Sequence, residues 1–305
     1  MRRPLLLLVV VALACGFMVS CGNGAGARDV DLGAYEGLGT WVDVFDYVPG
    51  FQIDDGPPPV TAASISDMAA LGVRTLFLQA TQDDPRLAGA TVPRSLLGTF
   101  LRRAHDFDMK VVAWYVPHFD DVAGDLRRIE ALHRFRFHGE RFDGIALDIE
   151  YRDGVPDPVL RNRALLALTR QARKVVGDSQ ALGAIVLEPL LLDVVNDKFW
   201  PGFPWRRLAP YYDVWLPMSY WTNRDSSSGL RDGFRYTDEN VTRLRQRLGD
   251  ANAPVHVIGG IANDVATKDY DGFVRAARRR HALGWSVYDF NTTTSGVWAR
   301  LRRGT

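Results

Sequence analysis

What most constrains this chain is a rhythm. From residue 39 onward, eight short apolar runs, rich in β-branched and aromatic residues, alternate with longer amphipathic stretches. The runs are Thr40 to Tyr47, Arg74 to Ala80, Lys110 to Val116, Gly144 to Glu150, Leu182 to Glu188, Val214 to Tyr220, Val255 to Ile261 and Ser286 to Phe290. Helical stretches are expected near Thr61 to Leu71, Arg94 to Asp106, Val122 to Phe137, Asp157 to Val176, Thr237 to Leu248 and Tyr270 to Ala282. This alternation predicts βα units on a parallel sheet. Near-continuous apolar runs are what strands need when both faces are covered. Eight such units in roughly 265 residues fit an α/β fold of one closed (β/α)8 TIM barrel, spanning residues 34–305. An open doubly wound sheet fits less well, because no Gly-rich turn follows the first run. The fifth connection, Pro189 to Pro210, contains Pro201 and Pro204 and has room only for a short helix.

The first twenty residues differ in kind. Arg2 and Arg3 precede an apolar run from Leu5 to about Val19. At about fifteen residues the run is short for a membrane span and suits a signal-peptide core. It ends in Met18-Val19-Ser20-Cys21-Gly22, which resembles the lipobox of bacterial lipoproteins, where a small residue precedes an acylated Cys. The alternative is an ordinary secretory signal cleaved nearby. Cys15 and Cys21 are the only cysteines, and Cys15 lies in the segment that would be removed. Cys21 is then left with no disulfide partner, and acylation gives it a role. The expectation is a signal peptide over 1–20, a lipid anchor at Cys21, a Gly- and Ala-rich tether over 21–33, and an exported protein held at the membrane only by that anchor. The chain has 37 basic and 36 acidic residues, so its charge gives no reason to expect nucleic acid as a partner.

In a (β/α)8 barrel the active site lies at the C-terminal ends of the strands. The residues expected there are Asp46, Gln79, Trp114, Asp148, Glu150, Glu188, Met218, Tyr220, Trp221, Tyr288 and Asp289. Carboxylates, amides and aromatics converging on one rim are the equipment of carbohydrate chemistry. The fourth run is the most informative. Side chains alternate along a strand, so Gly144, Ala146, Asp148 and Glu150 share a face, small below and acidic above. Two carboxylates about 6–7 Å apart lie in each other's field, which raises one pKa and keeps one group protonated. A protonated carboxyl is what a general acid for a glycosidic oxygen requires.

This strand resembles the signature of the family 18 glycoside hydrolases, the chitinases and their relatives, Asp-Gly-x-Asp-x-Asp-x-Glu. Asp143, Gly144, Asp148 and Glu150 match, and Ala146 replaces the middle Asp. The family's sixth strand carries Met-x-Tyr-Asp; Met218 and Tyr220 match, and Trp221 stands where the Asp belongs. Trp285 is a loose counterpart of the family's eighth-strand Trp. The resemblance implies that Glu150 is the general acid and that Asp148, with Tyr220, holds an N-acetyl group. The two departures leave the sugar open.

Several residues carry two readings. Glu188 is either a second catalytic carboxylate or a rim residue paired with an arginine such as Arg207. Asp46 and Asp289 either bind sugar hydroxyls and hold Tyr220, or cap the turns that follow. Trp114, Tyr115, Trp221 and Tyr288 are either stacking platforms or barrel core. His118-Phe119-Asp120-Asp121 either holds a cation or starts a helix, where negative charge is favoured. Gly259-Gly260 fits a close backbone turn better than a phosphate cradle. No Ser-His-Asp or Cys-His arrangement is visible, and no cofactor or metal is expected. The functional readings are a glycoside hydrolase, a sugar-binding barrel lipoprotein without turnover, and a barrel hydrolase or lyase of another kind.

Overall fold

The computed structural model describes residues 28–52, 56–87, 89–261 and 266–304. Eight parallel strands close into a barrel in sequence order, with β8 pairing back onto β1. They are β1 (Gly37–Val42), β2 (Thr75–Gln79), β3 (Lys110–Tyr115), β4 (Gly144–Ile149), β5 (Ala181–Leu187), β6 (Val214–Ser219), β7 (His256–Gly259) and β8 (Gly284–Val287). The helices are α1 (Val44–Tyr47), α2 (Ser64–Ala70), α3 (Arg94–His105), α4 (Val122–Arg134), α5 (Pro158–Val176), α6 (Trp205–Leu208), α7 (Gly233–Leu248), α8 (Lys268–Arg279) and α9 (Ser295–Leu301). The chain is thus the (β/α)8 barrel that its rhythm predicts. The anchor cysteine Cys21 and the signal segment lie outside the described residues. Arg28, within the expected tether, is bound to the barrel through Asp213 Oδ1 (2.9 Å) and the Pro210 carbonyl (2.8 Å). Among the described residues no helix is long and apolar enough to cross a membrane.

Glycines on the inner face make room for large rings. A Cβ on Gly39 would stand 2.7 Å from the Phe77 ring, and one on Gly144 would stand 2.8 Å from Tyr35 Oη. Gly183 is closed in the same way by Leu216 and Tyr35. Tyr35 plugs the lower end of the barrel, and its hydroxyl donates to the Ile145 carbonyl at 2.8 Å. Above it Phe77 stacks on Trp41, with centroids 4.3 Å apart and planes 9° apart. His256 is buried beside Phe77, and its ring nitrogens contact the Tyr35 carbonyl (2.8 Å) and Ser286 Oγ (2.9 Å). Burial holds its pKa down to about 4, so it is a neutral structural group. Ser286 Oγ also accepts from Trp41 Nε1 at 2.8 Å, which orients that indole toward the mouth.

The strands stop earlier than their hydrophobicity suggests. The first run is expected to reach Tyr47, but β1 ends at Val42. Asp43 accepts from the backbone N–H groups of Phe45 (2.8 Å) and Asp46 (3.2 Å) and caps α1. Asp46 is therefore a helix residue and not a strand end. Asp121 likewise caps α4 through Gly124 N (2.9 Å), and Asp157 caps α5 through Val159 and Leu160. Helix α7 begins at Gly233, four residues before the expected start. Gly233 fits there because a Cβ would meet the Asp269 carbonyl at 2.3 Å. In the fifth connection only a π-helical turn at Leu191–Val195, the short α6 and a 3₁₀ turn form.

Candidate active site

The strand ends surround a cavity of about 370 Å³. Its wall is built from Trp41, Gln79, Trp114, Asp148, Ile185, Met218, Ile258 and Tyr288, the upper inward positions of the barrel. Asp43, Phe45, Gln82, His118, Glu150, Tyr151 and Tyr220 complete it from the loops above. The register explains the aromatic floor. Trp114 lies beside Gln79 on one side and Ala146 on the other, and it meets Trp41 edge to face at 5.7 Å. Ala146, where the resembling family has Asp, leaves its space to these indoles.

Asp148, on β4, and Glu150, one residue past its end, face this cavity. Asp148 is 7% exposed, and its Oδ1 has no hydrogen-bond partner within the protein. Burial first, and then the Glu150 charge, push the Asp148 carboxyl well above the usual range. Glu150 stands open to the cavity, and enclosure by the surrounding walls raises its pKa as well. Both carboxyls are thus raised, with burial the first cause for each. Tyr220 lines the same cavity. Burial, then the charges of Glu150, Asp148, Glu188 and Asp289, keep its hydroxyl protonated, as a hydrogen-bond donor must be.

The remaining candidates separate. Gln79 and Met218 line the cavity; Gln79 Oε1 accepts from Val44 N at 3.1 Å, tying α1 to the wall. Tyr288 also lines it, with its hydroxyl bound to Asp43. Asp46 and Asp289 sit just behind. Asp289 accepts from Thr292 N (2.8 Å) and Thr292 Oγ1 (2.9 Å), and Asp46 accepts from Asn291 Nδ2 (3.1 Å), so both hold turns. One carboxylate oxygen from each of Asp43, Asp46 and Asp289 lies within 4.8 Å of the others. Burial, Asp43 and Asp289 together raise Asp46 to about 7. Asp83, His118 and Asp120 form a second such cluster at the rim, and His118 stacks on Tyr151 with centroids 4.0 Å apart.

Glu188 is not paired with Arg207. It is buried behind the cavity wall, and its Oε1 accepts from Tyr236 Oη at 2.7 Å. Burial and the Glu150 charge raise it, while the Tyr236 bond and the Arg224 charge lower it, with a net rise. Trp221 does not line the cavity. It is fully buried outside the barrel against Tyr270 and Phe273, both at 5.2 Å. Tyr115 also points outward, donating to Asp125 at 2.5 Å. Trp285 lies at the lower end of β8 and bonds the Leu301 carbonyl, far from the mouth. Asp143, a match in the strand-four signature, caps the lower end through Val111 N, Lys110 and His105 and takes no part in the cavity. Gly260 allows a close crossing, since a Cβ would meet Thr222 Oγ1 at 2.4 Å. Trp41, Asp43 and Phe45 went unselected as candidates, although Trp41 and Asp43 keep the alternation of the first run and mark its inner face.

The fold and site define a (β/α)8 barrel with a carboxylate pair and an aromatic floor at its C-terminal mouth. Its sequence matches no family model and is not detectably similar to any curated protein. Solved structures do share its fold. An endo-β-1,4-mannanase from Thermotoga petrophila superposes with a TM-score of 0.63 at 10% identity, over 89% of this chain and 76% of that one. A class V chitinase from Pseudomonas fluorescens gives 0.60 at 12% identity, over 88% and 99%. A family 18 N-acetylglucosaminidase from Paenibacillus barengoltzii gives 0.60 at 11% identity, over 88% and 100%. The barrel is thus similar to those of family 18 and related glycoside hydrolases.

Proposed function

We propose that this protein is a glycoside hydrolase that cleaves an envelope or environmental polysaccharide, with Glu150 as the general acid. The observation that carries this reading is the pairing of Glu150 with the buried, partnerless Asp148 above an aromatic floor. Trp41 and Trp114, both almost fully buried, form the apolar floor beneath the sugar. Glu150, whose carboxyl enclosure raises, gives its proton to the glycosidic oxygen as the C–O bond breaks. The proton lost leaves the negative charge on Glu150, and Asp148 lies beside the developing oxocarbenium ion. Glu188 has its carboxylate engaged by Tyr236 behind the wall, which favours stabilisation from the cavity side by Asp148 and Tyr220 over attack by Glu188. In that version an acetamido oxygen of the sugar is the nucleophile, and Asp148 Oδ1 accepts the acetamido N–H. The fold of the mannanase and chitinase structures supports the glycosidase class.

A second reading, sugar binding without turnover, draws on Ala146 and Trp221. Neither position supplies a carboxylate, and Trp221 is committed to the core. Purified protein incubated with polysaccharides with and without N-acetyl groups separates the two. New reducing ends establish the hydrolase; glycan binding with none across the panel establishes the binder.

A further inference from the structure

The mouth is walled by Asp43, Asp148 and Glu150, with no Lys or Arg among its described lining residues. Asp46 and Asp289 stand behind it, at the seam where β8 closes onto β1. The flank of the barrel has a groove of the opposite character, between α8 and α9. Its volume is about 520 Å³. Arg275, Arg278 and Arg279 line it from α8, Arg300 from α9 and Arg303 from the 3₁₀ turn that follows, with Asp271 the one carboxylate. Positions 271, 275, 278 and 279 are three or four apart, so they share one face of α8. Buried Val274 lies beneath them.

Ordinary causes account for part of this cluster. Helix C-termini favour cations, which covers Arg278 and Arg279 in the last turn of α8. Arg275 lies a turn earlier, and Arg300 and Arg303 come from a different element. Ion pairing satisfies Arg300, 2.6 Å from Asp271, and leaves Arg303 3.9 Å from the same carboxylate. Arg279 is 3.6 Å from Asp238, which Arg280 already holds at 2.6 Å. Arg275 lies over the Phe234 ring at 4.6 Å, and Arg278 has no partner among the described residues. Arg275, Arg278 and Arg303 are all exposed. Like charges three and four positions apart on a helix repel each other. The groove nevertheless gathers five guanidinium groups against one carboxylate, with N–H donors left open to solvent. A guanidinium fork matches a carboxylate with two parallel hydrogen bonds.

Shape narrows the occupant. Packed helices lie about 8–10 Å apart, so the groove between them admits one extended strand. A bilayer surface is flat and would meet the crests of α8 and α9, not the groove. We infer that the α8–α9 groove is a docking site for an acidic glycan, a strand that carries carboxylates along its length. The choice of a glycan over another polyanion rests on the glycosidase reading. The carboxylates at the mouth repel the same strand, so the groove holds the protein on an acidic polymer while the mouth stays open to other chains.

The experiment is calorimetric titration of the full chain with a galacturonate hexamer at about 50 mM salt. Binding is expected there and should be largely lost at about 500 mM. Arg278→Glu with Arg303→Glu should weaken it at least about tenfold. Arg170→Glu with Lys174→Glu, in the basic groove beside α5, should leave it within about twofold. All four positions are exposed, and thermal unfolding confirms that both double variants are folded. A mannose hexamer should not displace the galacturonate. Equal loss from the two pairs overturns the inference, because any basic surface would then serve, and so does absence of binding at low salt. Tighter binding of polyphosphate, or of phosphatidylglycerol vesicles, that Arg278→Glu with Arg303→Glu abolishes also overturns it and assigns the groove to phosphate or lipid. Binding is read without turnover. A protein that cleaves no glycan but holds galacturonate in the groove therefore sinks the glycosidase reading alone.

Discussion

The seam of carboxylates should cost stability, and the cost can be measured at Asp46. Its carboxyl is raised from 3.8 to about 7 by burial and by Asp43 and Asp289. The folded protein therefore holds this proton more tightly than the unfolded chain does. The favourable contribution is complete below about pH 4 and is lost as pH climbs toward 7. The full rise corresponds to about 4 kcal/mol. Water in the cavity and the shared field of three acids reduce the recoverable part to about 2 kcal/mol. Asp46→Asn removes the charge and keeps the shape. Its amide oxygen still accepts from Asn291, and its NH₂ gives up the long 3.4 Å bond from Asp43 N but can donate to the Asp43 or Asp289 carboxylate. Urea unfolding followed by tryptophan fluorescence should show the variant more stable by about 2 kcal/mol at pH 8 and by about 1 kcal/mol at pH 4.5. The corresponding rise in Tm is about 4–8 °C at the higher pH. An equal change at both pH values, or a loss at pH 8, would refute the electrostatic reasoning.

Two other outcomes follow from the placement of residues. Trp221→Ala should cost about 3–5 kcal/mol by opening a void against Tyr270 and Phe273, yet leave KM unchanged in the folded fraction; a raised KM at full stability would place Trp221 in the site. Cys21→Ala should move the protein out of the membrane fraction, because acyl chains at that residue are its expected attachment; unchanged fractionation would overturn the lipobox reading.

The barrel was legible because its signal is redundant. Each of eight apolar runs reports the same period, so an error at one end does not move the fold. Strand ends were less legible, since Val44, Phe45 and Tyr47 are as β-prone as a strand, and only the cap made by Asp43 turns them into a helix. At the site, Asp148 and Glu150 were readable from alternation on a single strand. Glu188 and Trp221 were not, because direction at a strand's last residue depends on where the backbone turns. Glu188 turns back to Tyr236, a partner 48 positions away that no local pattern announces. Asp46 and Asp289 were readable as acids near the rim, but their meeting needs the closure of β8 onto β1. Trp41 was overlooked because its role comes from Ser286 and His256 across that same seam.

The central claim is that Glu150 delivers the proton, and the direct measurement is the steady-state kinetics of Glu150→Gln on whichever glycan the unmodified protein cleaves. The amide preserves size and removes the transferable proton. The account predicts a fall in kcat of roughly 10²–10⁴, a KM within a few-fold, and an unfolding transition no less stable than that of the parent. Activity retained within tenfold by a folded Glu150→Gln would contradict it and move the acid elsewhere in the cavity.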